Sequence, residues 1–354
     1  MSILSRFNQI MKANSLEILS LVQLKKRLSR QEIAESISFL ASPATLKRLL
    51  QTLLDEGWIT VEGKGKATTY VSSPKLEVCF PIDLETYFSK EQDDRIVKRN
   101  FDFEVFGKLK QVQVFSQKEI FSLNEIQQKF QRQASALAPD EYQKEMERLA
   151  IDLSWKSSQI EGNTYSLLET EVLLKEKRTA SGKTKDEATM LLNHKEAIDF
   201  LVTNTDYAES ISVRAIEDLH AILIKELGIN KNIRSRRVGI TGTNYQPLDN
   251  EFQIREALEK SCDLINSAHK GYEKAFLALL LVSYIQPFSD GNKRTARILS
   301  NALLLANALC PISFRTVDPL DYKKAMLVFY EQTNLSPMKK IFIEQAEFAV
   351  KTYF

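Results

Sequence analysis

The sequence predicts a mainly helical protein, and three observations predict it. Leu, Ala, Glu, Lys and Ile are abundant, whereas glycine and proline number only 11 and 9 in 354 residues, a balance that favours helices. From about Gln117 onward the apolar residues recur at helical spacing. Strand-like patterning is confined to two short places, residues 58–71 and 234–248. The length leaves room for two or three domains of about 100–200 residues each. A hydrophobic fraction of 44% and a charged fraction of 27% are ordinary for a globular protein, and a net charge of +2 selects no class of partner.

Residues 1–75 read as one unit. Leu16, Ile18, Leu19, Leu21, Val22 and Leu24 form the apolar stripe of a first helix. Ser29-Arg-Gln-Glu32 has the form of a capping box and opens a second, short helix. Ser42-Pro43 starts a third, with proline in the first turn, where its missing N–H costs little. That helix carries Leu46, Leu49, Leu50, Leu53 and Leu54. After Gly57 come two strands, Trp58–Val61 and Thr68–Val71, around a turn at Glu62-Gly-Lys-Gly-Lys66. Three helices and a hairpin in this order resemble a winged helix-turn-helix domain. Eleven Lys and Arg against six Asp and Glu give these residues a net charge of +5. The resemblance implies DNA as a partner, contacted by Lys64 and Lys66 of the wing and by Lys47 and Arg48 of the third helix. A protein-binding or dimerising wing is the other reading.

Residues 76–115 are a mixed connector, interrupted by Pro81 and by the charge-rich Lys90-Glu-Gln-Asp-Asp-Arg95. Residues 116–354 are helical apart from Arg234–Leu248, where Val238, Ile240, Gly242, Asn244, Tyr245 and Pro247 suggest a short hairpin. Cys79, Cys262 and Cys310 are far apart and lack metal-ligand spacing, which argues against a disulfide framework or a zinc site. Arg6, Asn8, Gln9 and Lys12 break any signal-peptide core. The longest apolar stretch, Ala275–Ile285, is shorter than the roughly 20 residues of a membrane span, so a cytoplasmic protein without a membrane partner is expected.

The chemistry concentrates in Gln286-Pro-Phe-Ser-Asp-Gly-Asn-Lys-Arg-Thr-Ala-Arg297, where a tight loop, Gln286 to Lys293, follows one apolar helical segment and leads straight into a second. A loop entering a helix N-terminus offers unpaired N–H groups and the positive end of the helix dipole, an anion site. Gly291 lets the backbone come close to a ligand, and Asn292 adds an amide donor. Lys293, Arg294 and Arg297 bring positive charge, with Arg294 and Arg297 on one face. Asp290 is the one acid among them, and an aspartate beside bound phosphates is a natural Mg²⁺ ligand. The alternative is a plain helix start whose arginines pair with surface acids.

This stretch resembles the signature of the Fic family, His-x-Phe-x-(Asp/Glu)-Gly-Asn-Gly-Arg-x-x-Arg. Phe288, Asp290, Gly291, Asn292, Arg294 and Arg297 match at their places, and the resemblance covers about residues 115–354. It implies a Fic-type helical bundle that uses ATP and Mg²⁺ to transfer AMP to a Ser, Thr or Tyr hydroxyl of an unknown target protein. Phe288 then anchors the loop, Asp290 holds the metal, and Gly291 and Asn292 form the anion cradle. Arg294 contacts the β-phosphate, Arg297 holds the γ-phosphate, and Lys293 belongs to the same cofactor-binding set. The break at 237–248 falls where the family has its flap, a β-hairpin that clamps the target through Val238, Gly239, Ile240, Thr241 and Gly242. Upstream, Ser157-Ser-Gln-Ile-Glu161-Gly162 matches the family's inhibitory motif on a helix around residues 145–165. The resemblance implies that Glu161 pairs with Arg297 and fills the space of the γ-phosphate.

Two positions depart from the signature. Gln286 stands where the catalytic histidine takes the proton of the target hydroxyl, and an amide cannot accept it. Three explanations stay open. The chain is a natural degenerate member that signals by conformation, or an inactive variant of an active enzyme, or it uses another base. His194, His220 and His269 lie outside the signature, and His220 reads as a helix-packing residue. Lys293 replaces a glycine and resembles the Doc branch, which transfers phosphate, although Doc-like chains lack the preceding glycine. A lysine there is expected to crowd the anion cradle. The competing functions are a self-restrained adenylyltransferase, a non-catalytic nucleotide-binding regulator acting on DNA, and a Doc-like phosphotransferase. Tyr322 and Tyr330 either line an adenine pocket or pack in the core, and homo-oligomerisation stays open.

Overall fold

The computed structural model describes residues 3–354, with side chains from residue 13 onward, so the Arg6, Asn8, Gln9 and Lys12 side chains lie outside those described. The chain forms two compact units, one running to Pro81 and including Gly107–Gln113, the other Ile82–Phe106 with Val114–Phe354.

In the first unit, helices α1 (Ile3–Lys25), α2 (Arg30–Ser36) and α3 (Pro43–Asp55) surround a core of Ile18, Leu19, Val22, Ile33, Leu46, Leu49, Leu50 and Leu53. The capping box is formed: Glu32 N–H donates to Ser29 Oγ at 3.2 Å, and Ser29 N–H donates to the Glu32 carboxylate at 2.7 Å. Strand β1 (Arg27–Ser29) is too short to leave a period in the sequence. It pairs antiparallel with β3 (Thr69–Ser72), which also pairs with β2 (Ile59–Glu62), giving the sheet order β1-β3-β2. Helix α4 (Pro74–Cys79) adds Leu76 to the core.

The second unit is built around one helix. It contains α5 (Leu84–Phe88), then the boundary with the first unit, which falls inside α6 (Glu104–Gln111). There follow α7 (Gln117–Ala136), α8 (Pro139–Ile160), α9 (Leu167–Glu176), α10 (Lys185–Thr203) and α11 (Val213–Leu223). The last are α12 (Glu251–Ser267), α13 (Gly271–Ile285), α14 (Asn292–Ala306), α15 (Pro319–Gln332) and α16 (Ser336–Tyr353). Every residue of α13 from Ala275 to Ile285 is buried, which accounts for its unbroken apolar sequence. It packs against α12, α14 and α15, while α14 meets α8, α10 and α11. The loop joining α13 to α14 is therefore held from both sides. Among the described residues no helix is long and apolar enough to cross a membrane.

Two expectations need correction. The hairpin expected over Arg234–Leu248 has no strand ladder. Gly242, at φ 85°, turns the chain, but the second arm turns to residues 92–100 instead of the first arm. Gln246 N–H donates to Arg99 O at 2.7 Å, beside a single parallel bridge between Asn100 and Gln246. Gln92 Nε2 donates to Asn244 Oδ1 at 2.8 Å, and Arg95 Nη2 donates to Gly242 O at 2.6 Å. These bonds hold the second arm to residues 92–100. The helix expected around 145–165 ends at Ile160. Glu161 is its C-cap, because Gly162 takes φ 102° and Asn163 N–H folds back to Ser158 O.

Candidate functional site

The loop from Gln286 to Gly291 is fixed by its own side chains. Asn292 Oδ1 accepts from Phe288 N–H at 2.7 Å, and its Nδ2 donates to Phe288 O at 2.8 Å. Phe288 is wholly buried and stacks face to face on His220, with ring centroids 3.6 Å apart. Gly291, at φ 78°, is the N-cap of α14 and has no side chain to satisfy the first-turn N–H groups, which stay available to an anion. A Cβ on Gly291 would lie 3.3 Å from Ile224 Cγ2 and 3.4 Å from His220 Nε2, so the close approach also needs glycine. Asp290 is the exposed acid of the loop. Its Oδ1 accepts from Gly291 N–H at 2.6 Å, and its Oδ2 lies 4.0 Å from Arg294 Nη2.

His220 is more than a packing residue. Its Nε2 lies 3.0 Å from Asp290 O, and a carbonyl only accepts, so Nε2 carries the proton. Burial pushes its pKa from 6.5 to about 4, so the ring stays neutral. As pH falls below 6.5 the unfolded chain takes up this proton and the folded chain refuses it until about 4. Stability from this residue is therefore complete above 6.5 and falls by about 3 kcal/mol by pH 4. Denaturant titrations at pH 7 and pH 4.5 should show the loss, and His220→Gln should shrink its pH-dependent part.

Glu161 and Arg297 meet as the motif implies. Arg297 Nη2 donates to Glu161 Oε1 at 2.9 Å, and Lys293 Nζ lies 3.4 Å from Glu161 Oε2. Burial pushes the Glu161 carboxyl up, but Arg297, Lys293 and Arg294 together hold it below the usual carboxylate range. Arg297 also donates from Nε to Ser157 Oγ at 2.8 Å and from Nη2 to Ser157 O at 2.9 Å. Ser157 Oγ in turn lies 2.7 Å from His194 Nε2. Since the hydroxyl accepts from Arg297, its own proton is left for His194, whose pKa burial and Arg297 push well down. The guanidinium carbon of Arg297 stands 5.3 Å from the centre of the Tyr322 ring.

Glu161 and the loop leading into α14 border a cleft of about 480 Å³. Its walls are Glu161, the turn Val238–Gly242, the loop and first turn from Ser289 to Arg294, and Tyr322, Lys323, Met326 and Tyr330 of α15. Gln286, Asp290, Gly291, Asn292, Lys293 and Arg294 are thus brought together with Val238, Gly239, Ile240, Thr241 and Gly242. Ser157, Gly162 and Arg297 are not part of the lining; Arg297 is wholly buried behind Glu161. Lys293 does not crowd the cradle, because its ammonium points to Glu161.

Gln286 is 7% exposed and adopts the left-handed conformation, φ 52° and ψ 58°. Its amide is engaged at both ends: Nε2 donates to Ser283 O at 2.7 Å, and Oε1 accepts from Asn292 Nδ2 at 3.1 Å. The backbone around it is held by Arg234, a residue that no sequence pattern marks. Arg234 Nε donates to Gln286 O at 2.7 Å, Nη2 to Ile285 O at 3.4 Å, and its backbone N–H to Pro287 O at 3.0 Å. Tyr245, read in the sequence only as part of a hairpin, adds another contact, its hydroxyl donating to Tyr284 O at 2.9 Å. Both side chains lie at the ends of the irregular stretch that reads as the flap, where neither period nor spacing points to these contacts.

Residues 210–304 match the profile of the Fic/DOC family. The chain is 30% identical over 178 residues to a protein adenylyltransferase Fic of Nematostella vectensis, covering 48% of this chain and 40% of that protein. It is 24% identical over 200 residues to the protein adenylyltransferase fic-1 of Caenorhabditis elegans, covering 55% of this chain and 39% of that protein. The chain thus spans about two fifths of the length of these relatives. A solved fragment of Fic-1 from C. elegans superposes with a TM-score of 0.59 at 22% identity, over 67% of this chain and 71% of that one. A Fic domain containing signaling protein from Bacteroides thetaiotaomicron superposes with a TM-score of 0.55 at 19% identity, over 66% of this chain and 93% of that one. At these identities the structural likeness is one of fold. The sequence match, the fold and the loop together lead to one conclusion: this chain carries a domain of the Fic/DOC family at residues 210–304.

Proposed function

We propose that the chain is a Fic-type adenylyltransferase restrained by Glu161, which binds ATP with Mg²⁺ but transfers AMP to a protein hydroxyl weakly. The observation that carries this reading is the Glu161 carboxylate lodged between Arg297 and Lys293 at the edge of the cleft. An anion already occupies the place where cations and open N–H groups converge. In the proposed complex Arg294 and the first-turn N–H groups of α14 hold the inner phosphates. Asp290 is the residue to hold Mg²⁺, which needs one or two carboxylates and takes its other ligands from phosphate and water. Mg²⁺ held there would neutralise phosphate charge. Tyr322 and Tyr330 lie wholly buried along the α15 side of the cleft, so they pack as core residues. The turn at Val238–Gly242 receives the target segment. Gln286, with its amide engaged at both ends, leaves the target hydroxyl without a base.

Calorimetry tests the reading. Glu161→Gly should tighten ATP binding in the presence of Mg²⁺ by about tenfold, since one charge-assisted contact no longer competes. An unchanged affinity would count against the restraint. Transfer of the γ-label rather than the α-label of ATP would favour the Doc-like phosphotransferase, the reading that Lys293 brings with it.

A second reading concerns the first unit. The outer face of α3 exposes Ala44, Lys47, Arg48 and Gln51, and the hairpin tip exposes Lys64 and Lys66. This is the composition of a face that contacts duplex DNA, in which case the chain is a nucleotide-responsive regulator. Binding to duplex DNA that weakens steeply with salt supports it, and no binding at low salt excludes it.

A further inference from the structure

Asp290 lines the cleft with a side chain that is 69% exposed, so packing does little to aim its carboxylate. Oδ1 accepts from Gly291 N–H at 2.6 Å, and Oδ2 stands 4.0 Å from Arg294 Nη2. A carboxylate with one oxygen beyond hydrogen-bond reach of the nearest cation fits Mg²⁺, which takes its other ligands from phosphate and water. The peptide between Asp290 and Gly291 decides where that carboxylate sits. It is planar and trans, so its carbonyl and its N–H point in opposite directions and turn together. The carbonyl accepts from His220 Nε2–H at 3.0 Å, and the N–H is the donor to Asp290 Oδ1. Fixing one edge of the plane fixes the other. His220 is itself immobile: it is wholly buried on α11, and its ring lies within 3° of parallel to that of Phe288.

We propose that His220 is a positioning residue for the divalent cation. Its Nε2–H locks the Asp290–Gly291 peptide, and the locked N–H holds Oδ1, which leaves Oδ2 to the metal. Groups that orient a metal's ligand in this way are worth about 10–100-fold in metal affinity. The inference rests on the nucleotide-binding reading above and adds to it the residue that sets how firmly the metal is held. Two substitutions separate the donor from the ring. His220→Phe keeps a flat ring against Phe288 but has no N–H to give. His220→Gln gives up the ring and keeps a side-chain N–H at about the reach of Nε2.

Calorimetric Kd values for ATP, measured with Mg²⁺ and again with EDTA, test it on the full chain and its Glu161→Gly variant. Each is compared with and without His220→Phe or His220→Gln, and thermal melting checks that every protein is folded. His220→Phe should weaken ATP binding about tenfold with Mg²⁺ and less than about twofold in EDTA. His220→Gln should recover most of that loss. A second measurement needs no substitution at 220: the imidazole ¹⁵N–H signal of His220 should move when Mg²⁺ is added to the ATP complex. Equal or absent losses in a folded His220→Phe overturn the assignment. So does a His220→Gln that binds as weakly as His220→Phe, or an imidazole signal that Mg²⁺ leaves in place. If neither the chain nor Glu161→Gly binds ATP under either condition, the nucleotide reading itself fails, an outcome distinct from an unchanged ratio.

Discussion

Gln286→His, placed in the Glu161→Gly background, is expected to raise AMP transfer from labelled ATP to protein hydroxyls by about 10²–10⁴-fold over Glu161→Gly alone. The size follows from what the glutamine lacks. Its Nε2 is spent on Ser283 O and its Oε1 on Asn292, and an amide oxygen has no useful basicity. A neutral imidazole has an ordinary pKa of about 6.5 and accepts a proton near neutral pH. The rest of the site need not be rebuilt, because Arg234 holds the backbone carbonyls of Ile285, Gln286 and Pro287 whatever side chain stands at 286. The rescued activity should also rise with pH through the imidazole range, a profile that improved folding alone does not produce. A double variant that binds ATP yet transfers nothing would remove the transferase reading and leave a nucleotide-binding regulator.

Glu331→Ala is expected to destabilise the second unit by about 3–5 kcal/mol, the cost of stripping a buried cation of its partner. Glu331 is 0% exposed and Arg95 5%, and they meet at 2.9 Å. Arg95 Nε adds a second contact at 3.1 Å, and the Tyr87 hydroxyl donates to the same carboxylate at 2.7 Å. Thermal melting should fall by roughly 10 °C for a unit of this size. Glu331→Gln keeps the shape and one acceptor and should cost less. A wild-type melt for Glu331→Ala would show that Arg95 finds water or another acceptor. The same variant should loosen the turn at Gly242, whose carbonyl is another partner of Arg95.

What the sequence reveals here depends on contiguity. The anion loop is readable because Phe288, Asp290, Gly291, Asn292, Arg294 and Arg297 fall within one short stretch, each at a position fixed by a turn or a helix start. The capping box at Ser29 and the apolar run of α13 are readable for the same reason. The Glu161–Arg297 pair joins residues far apart in the chain, and only the family resemblance points to it. The flap is misread because its alternating residues look like a hairpin, whereas the partner of its second arm is the stretch 92–100. Arg234 and His194 carry no pattern at all, and Tyr245 shows only as part of the misread hairpin. A lone buried polar residue announces itself only when the groups it satisfies are known.

The three consecutive carbonyls that Arg234 gathers have a meaning for the history of such a site. They make position 286 a socket, in which the main chain is set before the side chain is chosen. Glutamine and histidine codons differ only in the third base. A single nucleotide change therefore exchanges these two side chains at position 286 while the cleft and the Glu161–Arg297 pair stay as they are. Under the proposed function, a change at position 286 alters turnover and leaves binding as it was.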